Sequence, residues 1–213
     1  MKTDELINML ANHAPPVDRQ IVTRRFGTAL VLGLALALLV LLTGFGIRPD
    51  IGQVAATPLF WAKLALPASL LAGALLVTTR LARPGAPVGN GWVTVAAPVV
   101  AVWLAALGLL LSVSAHNRWA LIFGETWRVC PVNIALLSIP AFVCVFWAIR
   151  GFAPTRLRLA GAAGGLLAGS MATLAYSLHC PEMSVAFWAV WYVLGMLIPT
   201  AVGALLGPRL LRW

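Results

Sequence analysis

The sequence predicts an all-α fold: a polytopic membrane protein whose six transmembrane helices form a bundle of three helical hairpins. Hydrophobic residues make up 61% of its 213 residues and charged residues only 10%, whereas soluble domains contain about 25% charged residues. A water-soluble enzyme of this size cannot bury so much apolar surface, and intrinsic disorder requires low hydrophobicity. The apolar runs are continuous rather than alternating, which excludes a transmembrane β-barrel and indicates helices.

Six apolar stretches are long enough to cross a bilayer, which takes about 20 helical residues. Breaker segments separate them, and the predicted spans lie near Phe26–Ile47, Leu59–Thr79, Trp92–Ser114, Val132–Ile149, Leu157–Leu178 and Ala186–Leu206. Residues 1–25 form a tail before the membrane domain of residues 26–213. The second helix of each hairpin is expected to begin at an X-Pro step, at Pro58, Pro131 and Pro181, because proline suits the first turn of a helix.

The distribution of basic residues predicts the orientation of the bundle. Eleven of the 15 Lys and Arg residues lie in the tail and in the segments on its side of the membrane, whereas three lie in the opposite loops. Bilayer proteins concentrate Lys and Arg on the cytoplasmic side, so both termini are predicted to be cytoplasmic, in a bacterial inner membrane. The net charge of +9 therefore reflects topology rather than nucleic-acid binding. Lys63, near the outer end of the second span, is expected to snorkel to the interface.

The predicted spans contain few groups that could carry chemistry. They have no Asp or Glu, which argues against a proton-driven transporter. Cys144, in the middle of the fourth span, is expected to be a packing residue. Glycines in the fifth and sixth spans predict smooth helix faces, which suit packing within the bundle and also a homodimer seam. These glycines are Gly161, Gly165, Gly169, Gly203 and Gly207.

Two cysteines, Cys130 and Cys180, are expected on the outer face at similar depth. Each precedes a proline that can open a helix, and a helix N-terminus lowers the pKa of a thiol. Such thiols bind soft metals. Four neighbouring residues have side chains that could add further metal ligands: His179, Glu182, Glu125 and His116. Three interpretations stay open, namely a structural disulfide, a redox- or metal-responsive pair and two unrelated buried cysteines. No particular metal is identified.

The N-terminal tail contains a predicted amphipathic helix. Thr3 can cap this helix, and Asp4 and Glu5 lie in its first turn. Its apolar face consists of Leu6, Ile7 and Leu10. About a dozen residues make only a marginal helix in water, so the segment is expected either to dock in the groove of a partner or to rest as a frayed tail on the membrane.

Several short motifs, spread in order along almost the whole chain, carry a resemblance to a known family. They include Met1–Ile7, Arg48-Pro49-Asp50, Cys130-Pro131, His179-Cys180-Pro181-Glu182, Trp191–Gly195 and Gly207–Trp213. In their order and spacing the chain resembles the NrsF family of six-span bacterial membrane anti-sigma factors. The resemblance implies a protein that holds an extracytoplasmic-function (ECF) sigma factor at the inner membrane and releases it under heavy-metal or oxidative stress. It also implies that Cys130 and Cys180 form the sensor, and that the tail binds the sigma factor through Asp4, Glu5, Leu6, Ile7 and Leu10.

Two other functions would use the same cysteines. A membrane thiol oxidoreductase would use them catalytically, but the sequence has no C-x-x-C pair. A small metal transporter or channel would need polar groups along a path, and the spans provide few. Neither function gives the tail a role. The sequence therefore predicts a regulator rather than an enzyme, with a sigma factor and membrane lipid as partners, no direct contact with nucleic acid and no cofactor.

Overall fold

The computed structural model describes residues 20–212, together with Thr3, Glu5, Ile7 and Met9, which are helical and exposed. The helices from residue 20 onward are α1 (Ile21–Gly44), α2 (Ile51–Val54), α3 (Pro58–Leu81), α4 (Gly91–Ser112), α5 (Ala115–Phe123), α6 (Cys130–Arg150), α7 (Leu157–Tyr176) and α8 (Val185–Leu210). No strand occurs in the described part of the chain, and six of the helices are long and apolar enough to span a membrane. The predicted all-α, six-span architecture is confirmed.

Helix α7 is the centre of the bundle, because its small residues let α1, α3, α6 and α8 approach it closely. Gly161 and Gly165 face α8, where an added Cβ would overlap the backbone at Gly203 and at Pro199. The glycine spacing therefore produces helix packing within the chain, one of the two outcomes that the sequence predicts. Since α8 covers this face of α7, the face does not support a homodimer seam.

Helix α4 lies at the edge of the bundle. Its contacts are with α3 and with the start of α8, and Gly91 and Ala106 are its buried residues. Large apolar side chains such as Trp103, Leu107 and Leu111 are exposed along it. A helix with so much apolar surface outside the bundle is suited to contact with lipid rather than with water.

The helices alternate in direction, so the loops and helix ends form two groups. One group, the arginine end, contains the start of α1, the loops after α3 and α6, and the end of α8. Its basic residues are Arg24, Arg25, Arg80, Arg83, Arg150, Arg156, Arg158, Arg209 and Arg212. The other group, the cysteine end, contains the loop after α1, the helices α2 and α5, Cys130 and Cys180. The fold thus places these basic residues at one end of the bundle, as the predicted orientation requires.

The predicted X-Pro helix starts are correct for two of the three hairpins. Pro58 is the first residue of α3, and Pro131 lies in the first turn of α6. The expectation at Pro181 is wrong, because residues 180–184 are not helical and α8 begins at Val185. Glu182 explains the difference: its carboxylate accepts hydrogen bonds from the loop before α6, and its carbonyl accepts one from Trp188 Nε1 at 3.1 Å. A helix that began at Pro181 would move the carboxylate and the carbonyl of Glu182 away from these hydrogen-bond donors.

Candidate functional site

The cysteine end brings Cys130 and Cys180 into contact. Cys130 is the first residue of α6, and Cys180 lies in the loop between α7 and α8. Both side chains are fully buried in one apolar cluster, where the Cys130 thiol lies close enough to affect the ionisation of Cys180. Both are free cysteines. The sequence leaves open whether the two cysteines are related, and the structure places them together without a disulfide between them.

Two basic side chains converge on the backbone carbonyl of Cys180. Lys63 Nζ donates a hydrogen bond to this oxygen at 2.6 Å, and Arg48 Nη1 donates one at 3.2 Å. The backbone N–H of Arg48 also donates to Leu178 O at 3.2 Å. These bonds fix the Cys180 loop to α3 on one side and to the segment after α1 on the other.

The side chain of Lys63 does not snorkel to the interface as expected. It is 0% exposed and points into the bundle. There its ammonium finds the carbonyl of Cys180 and the ring of Tyr192, whose centroid lies 5.8 Å away, a distance at which a ring face attracts a cation. The sequence contains the signal for this role, because Lys63 is the ionisable residue well inside a predicted span, and such residues usually face the bundle interior and mark functional sites.

The surroundings of Cys180 favour its thiolate. The hydrogen bond from Cys130 lowers the pKa of the Cys180 thiol below that of an ordinary cysteine, and the charge of Lys63 and the Tyr192 hydroxyl act in the same direction against the effect of burial. The direction agrees with the expectation of a reactive thiol, but the expected cause is wrong. Since α8 begins five residues after Cys180, a helix N-terminus does not supply the effect.

Glu182 joins the two segments that carry the cysteines. Its Oε1 accepts hydrogen bonds from the backbone N–H of Glu125 at 2.7 Å, from the backbone N–H of Thr126 at 3.1 Å and from the Thr126 hydroxyl at 3.2 Å. Gly124, with φ of +53°, lies against the carboxylate, so a side chain at this position would displace it. Glu182 therefore holds the loop before Cys130 against the loop after Cys180.

The four residues predicted as auxiliary metal ligands are not assembled around the thiols. The carboxylate of Glu182 is occupied by the loop before α6, whereas the side chains of Glu125 and His116 are exposed. The Nδ1 of His179 lies 3.0 Å from a backbone carbonyl of the loop after α1. Within the described ranges no group of three or more His, Cys, Asp and Glu residues is placed to hold a metal ion. The sulfur pair is the metal-ligating group that this arrangement offers.

We expect Glu182→Ala to separate the two cysteine-bearing loops. The change removes the carboxylate that accepts three hydrogen bonds, and a typical intramolecular hydrogen bond contributes about 1 kcal/mol. The rate at which an added oxidant forms the Cys130–Cys180 disulfide in purified protein should fall, as measured by mass spectrometry. Glu125→Ala is the matched control, because the exposed Glu125 side chain accepts none of these bonds. Equal rates in the two variants would contradict the role of Glu182.

Comparison with known proteins identifies the family of this fold and site. Residues 10–213 match the model of a family described as NrsF, negative regulator of sigma F. The chain belongs to the NrsF family. Two curated relatives align with it over their full lengths and over all of this chain: a probable anti-sigma-F factor NrsF of Azospira oryzae, 45% identical, and an anti-sigma-F factor NrsF of Caulobacter vibrioides, 38% identical. No solved structure matches the chain.

Family membership confirms the resemblance on which the predicted function depends. The NrsF family is one of negative regulators, so this chain is a regulatory protein rather than an enzyme, with an anti-sigma role and a sigma factor as its partner. Its six apolar helices make it a multi-pass membrane protein. Within this NrsF-family fold, the buried thiol pair and Lys63 form the candidate functional site.

Proposed function

We propose that this chain is an anti-sigma factor of the bacterial inner membrane that holds an ECF sigma factor through its N-terminal tail. Heavy-metal or oxidative stress acts on Cys130 and Cys180 and releases the sigma factor. Family membership supports the sigma-factor partner. The structural observation that carries the sensing role is the contact between two buried thiols at one end of the bundle.

The charge distribution supports the orientation that this function needs. The arginine end carries most of the basic residues and lies where the tail joins the membrane domain, so it faces the cytoplasm, where the sigma factor meets RNA polymerase. The cysteine end then faces the periplasm, where thiols meet an oxidising environment. The stress-sensing cysteines and the sigma-binding tail are thereby on opposite sides of the membrane.

Both stresses have a defined chemistry at the thiol pair. Oxidation joins the two sulfur atoms, and the two electrons and two protons pass to an oxidant such as a hydroperoxide, which is reduced to an alcohol and water. A soft metal ion instead displaces the thiol protons and is bound between the two sulfurs. Either reaction changes the distance between the start of α6 and the loop before α8.

Helix α8 is suited to carry this change across the membrane. Its segment Trp188–Tyr192 is a π-helix beside the site, and π-helical turns are frequent at functional sites. Trp103 Nε1 donates to Ala189 O in this segment at 2.9 Å. Beyond it α8 lies backbone to backbone on α7, and such close packing transmits a shift rather than absorbing it. A tenfold loss of sigma-factor affinity requires only about 1.4 kcal/mol.

The proposed sigma-binding element is the tail helix. Of its five predicted contact residues the structure describes Glu5 and Ile7, which are helical and exposed, whereas Asp4, Leu6 and Leu10 lie outside the described residues. The side chain of Ile7 is 57% exposed. An apolar side chain presented on a short helix is the feature by which amphipathic helices dock in partner grooves.

Deletion of residues 2–19 tests this proposal, because α1 begins at Ile21 and stays complete. We expect the sigma factor encoded nearest to this gene to co-purify with the intact protein from detergent-solubilised membranes and to be lost with the deletion. Ile7→Asp should weaken binding in the full chain, because it places a charge on the apolar face of the tail helix.

The control for the deletion is the thermal unfolding of the membrane domain, which should be unchanged. Undiminished co-purification with the deleted chain would contradict the role of the tail. Failure of the intact protein to bind would contradict the proposed pairing with that sigma factor.

A further inference from the structure

The two sensor cysteines have different surroundings, and the difference centres on Lys63. We propose that Lys63 is a positioning residue whose charge makes Cys180, rather than Cys130, the reactive thiolate of the pair. This inference rests on the proposed sensing function, because it assigns separate roles to the two sulfurs of the sensor. It concerns the chemistry of the thiols themselves and is therefore measurable without a sigma factor.

The first support is the position of the Lys63 ammonium. Lys63 is anchored at the Cys180 residue, since its Nζ lies 2.6 Å from the Cys180 carbonyl oxygen. The side chain is 0% exposed, so water does not screen its charge from the nearby thiol. The ring of Tyr192 lies against the ammonium, with its centroid 5.8 Å from Nζ. The charge of Lys63 therefore acts on the Cys180 thiol from inside the bundle.

The second support is the charge balance of the site. Arg48 already has a carboxylate partner, because its Nε and Nη2 donate to Asp50 Oδ1 and Oδ2 at 2.7 and 2.8 Å. This bond lowers the pKa of Asp50. Across the described part of the chain, no carboxylate lies within ion-pair distance of Lys63. A buried ammonium without a counter-charge is costly, and a thiolate on Cys180 would supply that counter-charge.

The third support is the set of titratable and charged groups that surround Cys180. The neighbouring Cys130 thiol is the largest cause of the lowered pKa of Cys180, and the charge of Lys63 lowers this pKa further. The titratable and charged groups around Cys180 come from every element packed on it: Arg48 from the loop after α1, Lys63 from α3, Cys130 from α6, Tyr176 from α7, Tyr192 from α8, and His179 and Glu182 from its own loop. Of these, Lys63 is the cation without a carboxylate.

This arrangement gives the two sulfurs successive roles in oxidation. The Cys180 thiolate attacks one oxygen of a hydroperoxide, forms a sulfenic acid and releases an alkoxide, which takes up a proton. The Cys130 sulfur then displaces hydroxide from the sulfenic sulfur, and water and the disulfide result. Cys130 is thus the resolving thiol, and the first reaction depends on the charge of Lys63.

The test is the pH dependence of thiol alkylation in the purified full-length protein. Iodoacetamide forms an S–C bond with a thiolate and releases iodide, and mass spectrometry of peptides measures each cysteine separately. In the wild type we expect Cys180 to react at lower pH than Cys130. In Lys63→Met the midpoint for Cys180 should rise by about one pH unit or more, so that its reaction at a pH below both midpoints slows about tenfold. Lys63→Arg keeps the charge and should keep the low midpoint.

Cys144 provides an internal control, because it lies in α6 away from Lys63 and reports loosening of the bundle. Faster alkylation of all three cysteines at every pH, in both Lys63→Met and Lys63→Gln, would assign Lys63 a merely structural role and overturn the proposal. An unchanged Cys180 midpoint in these variants, or a lower midpoint for Cys130 in the wild type, would also overturn it. These failures leave sigma-factor binding untouched. A shifted midpoint in a protein whose thiols do not influence sigma binding would instead overturn the proposed sensing function.

Discussion

Gly165→Val should prevent the bundle from folding to its native packing. An added Cβ at Gly165 would overlap the backbone of α8 at Pro199 and lie 2.9 Å from Thr200 Cα. Backbone atoms of a packed helix cannot rotate away, so α7 and α8 must separate along their most extensive contact. We expect a loss of about 3 kcal/mol or more in stability, the upper range for overpacked cores. Thermal unfolding in detergent, followed by tryptophan fluorescence, measures this loss.

Gly108→Val is the matched control for this experiment. Gly108 also lies within a membrane-spanning helix, α4, but a Cβ added there meets no atom within 4 Å. The two variants therefore share the change in helix propensity and in hydrophobicity and differ only in the close approach of a second helix. Similar unfolding temperatures for both variants would contradict the backbone packing of α7 on α8 as a main source of stability.

The six-helix fold could be predicted from the sequence because its signals are local. An uninterrupted apolar run of sufficient length predicts a membrane span. The observed helix ends differ from the ends of the predicted spans by at most five residues, as at Ile21. The packing role of Gly161 and Gly165 could also be predicted, because four-residue spacing places them on one face of a helix. None of these inferences needs knowledge of which helices are neighbours.

The candidate site could be predicted only in part, because its remaining features depend on tertiary partners. Hairpin topology places Cys130 and Cys180 at the same end, but their contact depends on the Glu182 carboxylate, which joins loops 57 residues apart in sequence. From the sequence Lys63 is expected at the interface, since a lysine without a known acceptor is best placed in water. Its inward orientation requires the Cys180 carbonyl, 117 residues away. The same loop contacts keep Pro181 from opening α8.

Replacement of both Cys130 and Cys180 by serine should remove the response to stress. A serine hydroxyl cannot form a disulfide and is a poor ligand for soft metals, so neither form of the proposed input can arise. The amount of sigma factor that co-purifies should then be the same with and without Cd²⁺ or a hydroperoxide. In the wild type either agent should lower the affinity for the sigma factor about tenfold, which corresponds to about 1.4 kcal/mol. Cys144→Ser is the control and should respond normally. Normal release from the double variant would contradict the sensor.

The single variants distinguish the two chemistries of the input. A disulfide and a metal bound between two sulfurs both need both cysteines, so either single serine variant should be as unresponsive as the double variant. The proposed asymmetry predicts one exception for oxidants. Cys180 keeps its charged neighbour Lys63 in Cys130→Ser and can still form a sulfenic acid there, whereas Cys130 in Cys180→Ser lacks that neighbour. Partial oxidant release from Cys130→Ser, together with complete loss of the metal response, would indicate that modification of Cys180 alone begins the signal.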